Sequence, residues 1–143
     1  MNGYTFEIGR IFMGRFQMND DLVKVLTQYC IDNKILMGHI QIIGRLLQAN
    51  LSHYDPDKKT ETRLSIKKPL IIQHATGNIS LKDGLPVAHI HAVCTDLDGK
   101  PLGGNLEEGC IIFSGEFFLQ ELIGENLIRK YDESTGLYLW QIE

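Results

Sequence analysis

The sequence predicts a single domain of mixed α/β class, of the α+β type, with one principal helix and a series of strands. The helix follows 19–21 (Asn-Asp-Asp), because such residues cap helix N-termini. Apolar residues then recur at helical spacing up to Asn33. A chain of 143 residues can bury a substantial core, so we expect residues 1–143 to form one domain.

Strands are predicted wherever apolar or alternating runs are bounded by turn residues. In chain order these runs are 4–15, 35–43, 46–54, 70–80, 87–94, 110–122, and a final hairpin of 127–131 with 137–142. The second and third runs are hinged at Gly44 and read as two successive strands or one bent strand. Gly115 is typical of a bulge. Turns are predicted at 82–84 and 96–99, which carry Asp-Gly.

Composition excludes several classes of protein. The chain is 43% hydrophobic and 22% charged, and it has no apolar run of the roughly 20 residues that cross a membrane. Its N-terminus shows no secretory signal, so we expect a soluble cytoplasmic protein. The net charge of −4 opposes a phosphate backbone and argues against tight nucleic-acid binding by the whole surface.

The three cysteines Cys30, Cys94 and Cys110 form no C-x-x-C pair. An odd number of cysteines in a chain without an export signal favours buried free thiols over a disulfide framework. A catalytic thiol is the alternative interpretation.

The stretch 77–109 concentrates turn signals, paired glycines and a His-Ile-His triplet. Along 87–94 the side chains alternate, which predicts His89 and His91 on one face of a strand and small apolar residues on the other. Strand residues two apart have Cα atoms about 6.6 Å from each other, so the two imidazoles can converge on one metal ion or one anionic ligand. The paired glycines 103–104 predict a close approach of the backbone to a neighbour or a ligand, at a tight corner from which Asn105 projects.

The remaining polar candidates are weaker. His39, His53 and His74 lie in strand-like runs, where a lone histidine is more often a packed or surface residue than a ligand. Basic residues interleaved with Asp and Glu predict a solvated loop and edge strand, with a phosphate-contacting patch as the alternative. These DNA-contact candidates are Lys58, Lys59, Arg63, Lys67 and Lys68.

Several separated motifs, in order, resemble the plants and prokaryotes conserved (PPC or PCC) domain, in its stand-alone prokaryotic type. They are the helix after a short strand, GHI at 38–40, IG at 43–44, Ala49, YD at 54–55, GNIS at 77–80, HIH at 89–91, GG at 103–104 and EG at 108–109. The resemblance implies a mainly antiparallel sheet packed against the helix. It also implies a homotrimer with sites near subunit boundaries.

Some members of this family carry a metal on the two histidines of the H-x-H strand and a third histidine after the paired glycines. The resemblance therefore implies a zinc or other divalent transition-metal site at His89, His91 and Asn105. Asn105 stands where the third histidine would be, and an amide oxygen is a poorer zinc ligand than imidazole. The alternative is a hydrogen-bonded histidine pair in a polar pocket or subunit seam. Candidate ligand-pocket residues are His74, Asn78, Gly103 and Gly104.

Two functions follow. The first, which the resemblance favours, is a small trimeric binding or regulatory protein that binds DNA, a partner or an unknown small molecule. The second is a metal-dependent hydrolase or lyase that uses the metal at His89 and His91. In that case Glu107 or Glu108 would be the general base, although both are typical solvent-facing residues. No phosphate-loop or nucleophile-elbow motif is present.

Overall fold

A computed structural model describes residues 1–142. Within this range the chain forms one helix and nine strands, in the order β1 Glu7–Phe16, α1 Leu22–Asp32, β2 Gly38–Asp55, β3 Thr60–Ile66, β4 Leu70–Lys82, β5 Leu85–Thr95, β6 Pro101–Leu106, β7 Ile111–Ile123, β8 Arg129–Asp132 and β9 Leu137–Trp140. The α+β class, with a mainly antiparallel sheet and one principal helix, is confirmed.

Seven strands form one antiparallel sheet in the order β1-β7-β2-β4-β5-β6, with β3 paired to β2. The long strand β2 organises the sheet. Its first half pairs with β4 and β7, and its second half pairs with β3. Leu51 and Ser52 also pair with β6, so β2, β4, β5 and β6 close into a ring. This closure brings the His-Ile-His strand and the second half of β2 to the two sides of β6.

The helix α1 begins at the predicted cap. The Asp21 carboxylate accepts the Lys24 backbone N–H at 3.4 Å and the Gly109 N–H at 2.7 Å, which ties the helix start to the turn before β7. Leu22, Leu26 and Cys30 are buried, as expected for residues at i, i+4 and i+8 of one helical face. The helix therefore packs as a core element of the sheet.

The runs 35–43 and 46–54 form a single strand, so the interpretation as one bent strand is correct. The pairing with β4 is irregular between Ile42 and Gly44. Gly44 lies opposite Gly115, and a Cβ at Gly44 would come 2.6 Å from the Gly115 Cα. A glycine is therefore needed at Gly44, where β2 lies against β7. The bulge predicted at Gly115 is wrong, because the irregular pairing lies just before it, between Ile112 and Ser114.

The glycines 103–104 do not form a corner. They lie inside β6, which sequence analysis missed, because glycine is typical of both turns and close strand contacts. A Cβ at Gly103 would lie 2.5 Å from the Ala92 carbonyl oxygen, and a Cβ at Gly104 would lie 2.9 Å from the Ser52 carbonyl oxygen. These glycines therefore allow the backbones of β5, β6 and β2 to approach one another.

The C-terminal hairpin β8–β9 is a separate two-stranded sheet. It is held to the large sheet by a parallel bridge between Leu81 and Ile128. The Tyr54 hydroxyl donates to the Thr135 carbonyl at 2.6 Å, and the Trp140 indole N–H donates to the Ser80 hydroxyl at 3.1 Å. The hairpin therefore covers part of the sheet near β2, β4 and β5.

Candidate functional site

A cavity of about 610 Å³ lies between the C-terminal hairpin and strands β2, β5 and β6. Its walls combine histidines, cations, one amide and apolar side chains: Ser52, His53, Tyr54, Glu61, Lys82, Val87, His89, His91, Gly104, Asn105, Arg129, Leu137, Tyr138 and Leu139. Both predicted metal-ligand histidines and Asn105 therefore line the same cavity.

His89 and His91 point to the same side of β5, as the alternating pattern predicts. Their Nε2 atoms are 3.3 Å apart, and their rings are nearly perpendicular with centroids 5.0 Å apart. Two imidazole nitrogens bound to one tetrahedral zinc at about 2.0–2.1 Å lie roughly 3.3–3.4 Å from each other. The observed spacing fits a shared metal and also fits a hydrogen bond between two neutral imidazoles.

Asn105 stands beside this pair because it is directly opposite His91 in the β5–β6 ladder and opposite Ser52 in the β6–β2 ladder. Its amide nitrogen donates to the Glu107 carboxylate at 2.7 Å and to the Ser52 hydroxyl at 3.4 Å. Ser52 also donates to Glu107 at 2.6 Å. These bonds fix the amide orientation and leave Asn105 Oδ1 buried with no hydrogen-bond partner among residues 1–142, a condition it shares with Asn50 Oδ1.

Burial lowers the pKa of His89 to about 4, and the neighbouring Arg129 and His91 add to the decrease. The imidazole is therefore uncharged at neutral pH. An uncharged imidazole is the form that binds a metal.

Arg129, on β8, forms the wall next to His89. Its Nε donates to the Ser80 hydroxyl at 2.9 Å, and its Nη2 donates to Asn78 Oδ1 at 2.8 Å and lies 3.4 Å from His89 Nδ1. Nη1 donates to the Tyr138 carbonyl at 3.1 Å. Every one of these partners is neutral, and burial lowers the pKa of Arg129.

The four predicted ligand-pocket residues are placed differently. Gly104 lines the cavity, and Asn78 positions Arg129 at its edge. The Gly103 carbonyl oxygen lies 2.6 Å from Nε2 of His53, which lines the cavity. His74 lies outside, in a shallower depression of about 290 Å³ that His91 and Gly104 also line.

Sequence analysis missed part of the cavity. His53 lines it although its run offered no signal beyond a lone histidine, and His39 does not line it but lies 3.0 Å from the Thr76 hydroxyl. Arg129, Lys82 and Tyr138 also line it. No local pattern marks them, because only the packing of the hairpin on the sheet brings them together.

The DNA-contact candidates lie along the β2–β3 hairpin and after β3. Four of the five have partners: Lys58 with Asp55 at 3.7 Å, Arg63 with Glu61 at 2.8 Å, Lys68 with Asp96 at 3.0 Å, and Lys59 with the Glu133 carbonyl at 3.2 Å. The predicted edge strand is correct, since β3 pairs with β2 and its residues are largely exposed. Much of the positive charge in this region is locally balanced.

The two glutamates of the enzyme hypothesis are not free in the cavity. The Glu107 carboxylate is held by Ser52 and Asn105, and Glu108 is exposed and pairs with Lys24 at 3.4 Å. Neither lines the cavity. Their positions therefore do not favour a general base beside His89 and His91.

The three cysteines are buried and free, as predicted. Burial raises the pKa of Cys30 to about 12 and that of Cys110 to about 11. Such thiols are not nucleophilic at neutral pH.

Within residues 1–142 no three His, Cys, Asp or Glu side chains form a cluster suited to a metal ion, so a third protein ligand beside His89 and His91 would have to be of another type, such as the Asn105 amide. Over the same residues, no helix is both long and apolar enough to cross a membrane.

The fold and the cavity define a small, mainly antiparallel β domain with one helix and a histidine-lined pocket. The chain belongs to the Plants and Prokaryotes Conserved (PCC) domain family, whose model matches residues 4–123. The predicted family is therefore confirmed. The hairpin β8–β9, which closes the cavity, lies beyond the matched segment.

Solved structures include close relatives. A metal-containing protein from Archaeoglobus fulgidus is 35% identical, with a TM-score of 0.94 and 99% of each chain covered. A plant- and prokaryote-conserved (PPC) protein from Pyrococcus horikoshii is 33% identical, with a TM-score of 0.92 over 99% of this chain and 97% of that one. A Bacteroides thetaiotaomicron protein, whose name proposes DNA binding, shares the fold at 24% identity and a TM-score of 0.85, over 96% of this chain and 97% of that one.

One curated relative is a bifunctional protein named GlmU from Synechococcus sp. (strain JA-3-3Ab). It is 28% identical over 136 residues, which is 94% of this chain. The chain spans about a fifth of the length of that relative, 21%.

Proposed function

We propose that this protein is a binding module whose cavity holds a divalent transition metal, of which zinc is the first candidate, on His89 and His91. The observation that carries the proposal is the 3.3 Å spacing of the two Nε2 atoms, which matches two ligands of one tetrahedral ion. The name of the Archaeoglobus relative, a metal-containing protein with 35% identity, supports it.

Asn105 fits the role of a third ligand. Its buried Oδ1 lacks a hydrogen bond among the described residues, and leaving a buried acceptor unsatisfied costs about 1–3 kcal/mol. A bound cation would satisfy that oxygen. Glu107 and Ser52 would orient the amide in the way that outer-shell partners orient metal ligands.

Arg129 opposes the metal. A His89 that binds through Nε2 carries its proton on Nδ1, and Nδ1 lies 3.4 Å from the Arg129 Nη2 donor. Metal binding therefore gives up that contact and places two positive charges near each other. We expect a weaker site than a three-histidine site.

The test is a calorimetric titration of zinc into metal-free protein. We expect one site per chain, an affinity decrease of at least about a hundredfold in His89→Ala or His91→Ala, and a smaller decrease in Asn105→Ala. His74→Ala is the matched control, because it removes a histidine outside the cavity. Equal zinc binding by the wild type and both histidine variants would contradict the proposal.

DNA binding is a second candidate function. The name of the Bacteroides relative and the exposed cations around β3 support it. We expect weak, salt-dependent binding of a random-sequence DNA duplex, lost in a Lys58→Gln/Lys59→Gln/Lys67→Gln variant. Lys130→Gln/Lys24→Gln removes charge elsewhere and is the control. Absence of wild-type binding at low salt would exclude this candidate.

We also propose a homotrimer with the cavity near a subunit boundary. Ile8, Ile11 and Met13 on the edge strand β1 are 66%, 56% and 81% exposed, and an exposed apolar edge is typical of a subunit contact. Light scattering should give three times 16.2 kDa, with a decrease in Met13→Glu. A wild-type mass of 16.2 kDa would contradict the trimer.

A further inference from the structure

Two cations that line the cavity, Arg129 and Lys82, have no acidic partner among residues 1–142. Lys82 instead places its Nζ 3.6 Å from the centre of the Tyr138 ring, and the Arg129 guanidinium lies 5.3 Å from the centre of the Trp140 ring. Both cations are thus packed on aromatic rings of the C-terminal hairpin.

The hydrogen bonds that Arg129 makes within the protein do not require a charged side chain. Ser80, Asn78 and the Tyr138 carbonyl all accept hydrogen bonds, and a neutral donor would satisfy them equally. A partly buried charge without an opposite charge is unfavourable. The chain has 18 acidic and 14 basic side chains, so a shortage of carboxylates does not explain why the charge of Arg129 has no acidic partner among residues 1–142.

The acidic groups nearby are already engaged. Among residues 1–142, Glu61 is the only carboxylate that lines the cavity, and it pairs with Arg63 at 2.8 Å. Glu107, behind Asn105, is held by Ser52 and Asn105. The positive charges of Arg129 and Lys82 therefore face the open cavity.

The rest of the wall is apolar. Val87 contributes from β5, and Leu137 and Leu139 contribute from β9. With about 610 Å³ available, the cavity has room for a small organic molecule, whose charged group would lie near Arg129 and Lys82 and whose body would contact these side chains.

We propose that the C-terminal hairpin makes this cavity a binding site for a small organic oxyanion with an apolar body, recognised by Arg129 and Lys82. This inference rests on the proposed function only because the anion and the proposed metal share one cavity. It names the class of ligand that this cavity binds. His89 and His91 would hold the metal. Arg129 of the hairpin, which lies outside the segment matched by the family model, and Lys82 at the end of β4 would supply the anion contacts.

The test uses benzoate, acetate and inorganic phosphate as probes, titrated into metal-free and zinc-loaded protein. We expect benzoate to bind more tightly than acetate, because only benzoate reaches the apolar wall. Arg129→Gln should weaken benzoate binding at least about tenfold and Lys82→Gln about three- to fivefold, as for loss of a charged hydrogen bond. Tighter binding of phosphate than of benzoate would overturn the organic-anion assignment.

Two variants control for loss of structure. Lys130→Gln removes a charge from the same strand but does not line the cavity, so benzoate binding should not change. Arg129→Lys keeps the charge and should restore part of the affinity. Equal weakening in Arg129→Gln and Lys130→Gln, or no weakening in Lys82→Gln, would overturn the proposal.

The two metal states separate the two proposals. Benzoate binding that depends on Arg129 in a protein that takes up no zinc would refute the metal site and leave the anion site standing. Benzoate binding that needs zinc and is unchanged in Arg129→Gln would place the anion on the metal and refute the hairpin site.

Discussion

Arg10 lies on β1, an edge strand of the large sheet, and Arg129 lies on β8 of the separate hairpin; each bonds to a neighbouring strand, but their electrostatic settings differ. The Arg10 side chain forms a two-pronged pair with the buried Glu121 carboxylate, with Nε–Oε2 and Nη2–Oε1 distances of 2.7 Å, and also donates to the Asn33 carbonyl. Arg129 makes a similar set of bonds, all to neutral acceptors. The first arginine is paired with a carboxylate, and within residues 1–142 the second is not.

This difference distinguishes structural from ligand-binding charge. A bidentate arginine–carboxylate pair satisfies both ions, so Arg10 has no need of a further partner. Arg129 has hydrogen-bond partners but no carboxylate partner within residues 1–142, and it lies beside His89, whose pKa burial lowers to about 4. We therefore assign stability to the β1–β7 region and ligand binding to the cavity.

The largest expected effect on stability is at Glu121. Glu121→Gln keeps the shape but removes the charge that Arg10 binds, and should lower the free energy of unfolding by about 2 kcal/mol. Chemical denaturation measures this change. Zinc and benzoate binding should not change, and a loss of both would contradict the separation of the two regions.

Acid should remove the contribution of the Arg10–Glu121 pair to the free energy of unfolding without a mutation. Hydrogen bonding from Arg10 holds the pKa of Glu121 below its ordinary value of 4.5, against the effect of burial. The folded protein therefore binds this proton less readily than the unfolded chain. The contribution is complete above about pH 4.5 and is lost as the pH falls through the lower folded pKa. Denaturation of the wild type and Glu121→Gln across this range should show the two stabilities converging in acid.

Arg129→Gln should raise zinc affinity about tenfold, or ~1.4 kcal/mol, because it removes a positive charge and the donor that faces His89 Nδ1. The same substitution should weaken benzoate binding. These opposite changes distinguish a role of the Arg129 charge from damage to the cavity, since a disrupted cavity would lose both ligands. Calorimetric titration of each ligand decides the outcome, and decreased zinc affinity would show that Arg129 mainly supports the site.

The smallest expected effect is on the stability of the hairpin. Arg129→Gln should reduce the free energy of unfolding by about 1 kcal/mol, because one amide cannot make all the bonds of the guanidinium to Ser80, Asn78 and the Tyr138 carbonyl. Lys130→Gln should stay within about 0.5 kcal/mol of the wild type. A loss at Arg129 as large as that at Glu121 would remove the distinction between the two arginines.

The sequence predicts what depends on local pattern. The cap at Asp21 and the helical stripe were predicted from short-range spacing, and the shared face of His89 and His91 follows from a period of two. The wall formed by Arg129 and Lys82 was not predicted, because it depends on contacts between distant segments, such as the Leu81–Ile128 bridge.

Glycine caused the main local error. The close backbone approach predicted at Gly103 and Gly104 is confirmed, but the predicted corner is wrong, because both glycines lie within β6. Asn105 was singled out from the paired glycines and from the resemblance. The structure adds its unsatisfied buried oxygen, which no sequence pattern indicates.

The most direct test of the proposed metal site is elemental analysis of the protein purified without an affinity tag. The protein for comparison is a His89→Ala/His91→Ala variant whose folding is confirmed by circular dichroism. We expect about one zinc or other transition-metal ion per chain in the wild type and none in the variant. A wild-type protein that remains metal-free even after incubation with zinc would contradict the proposed metal site and leave His89 and His91 as a hydrogen-bonded pair.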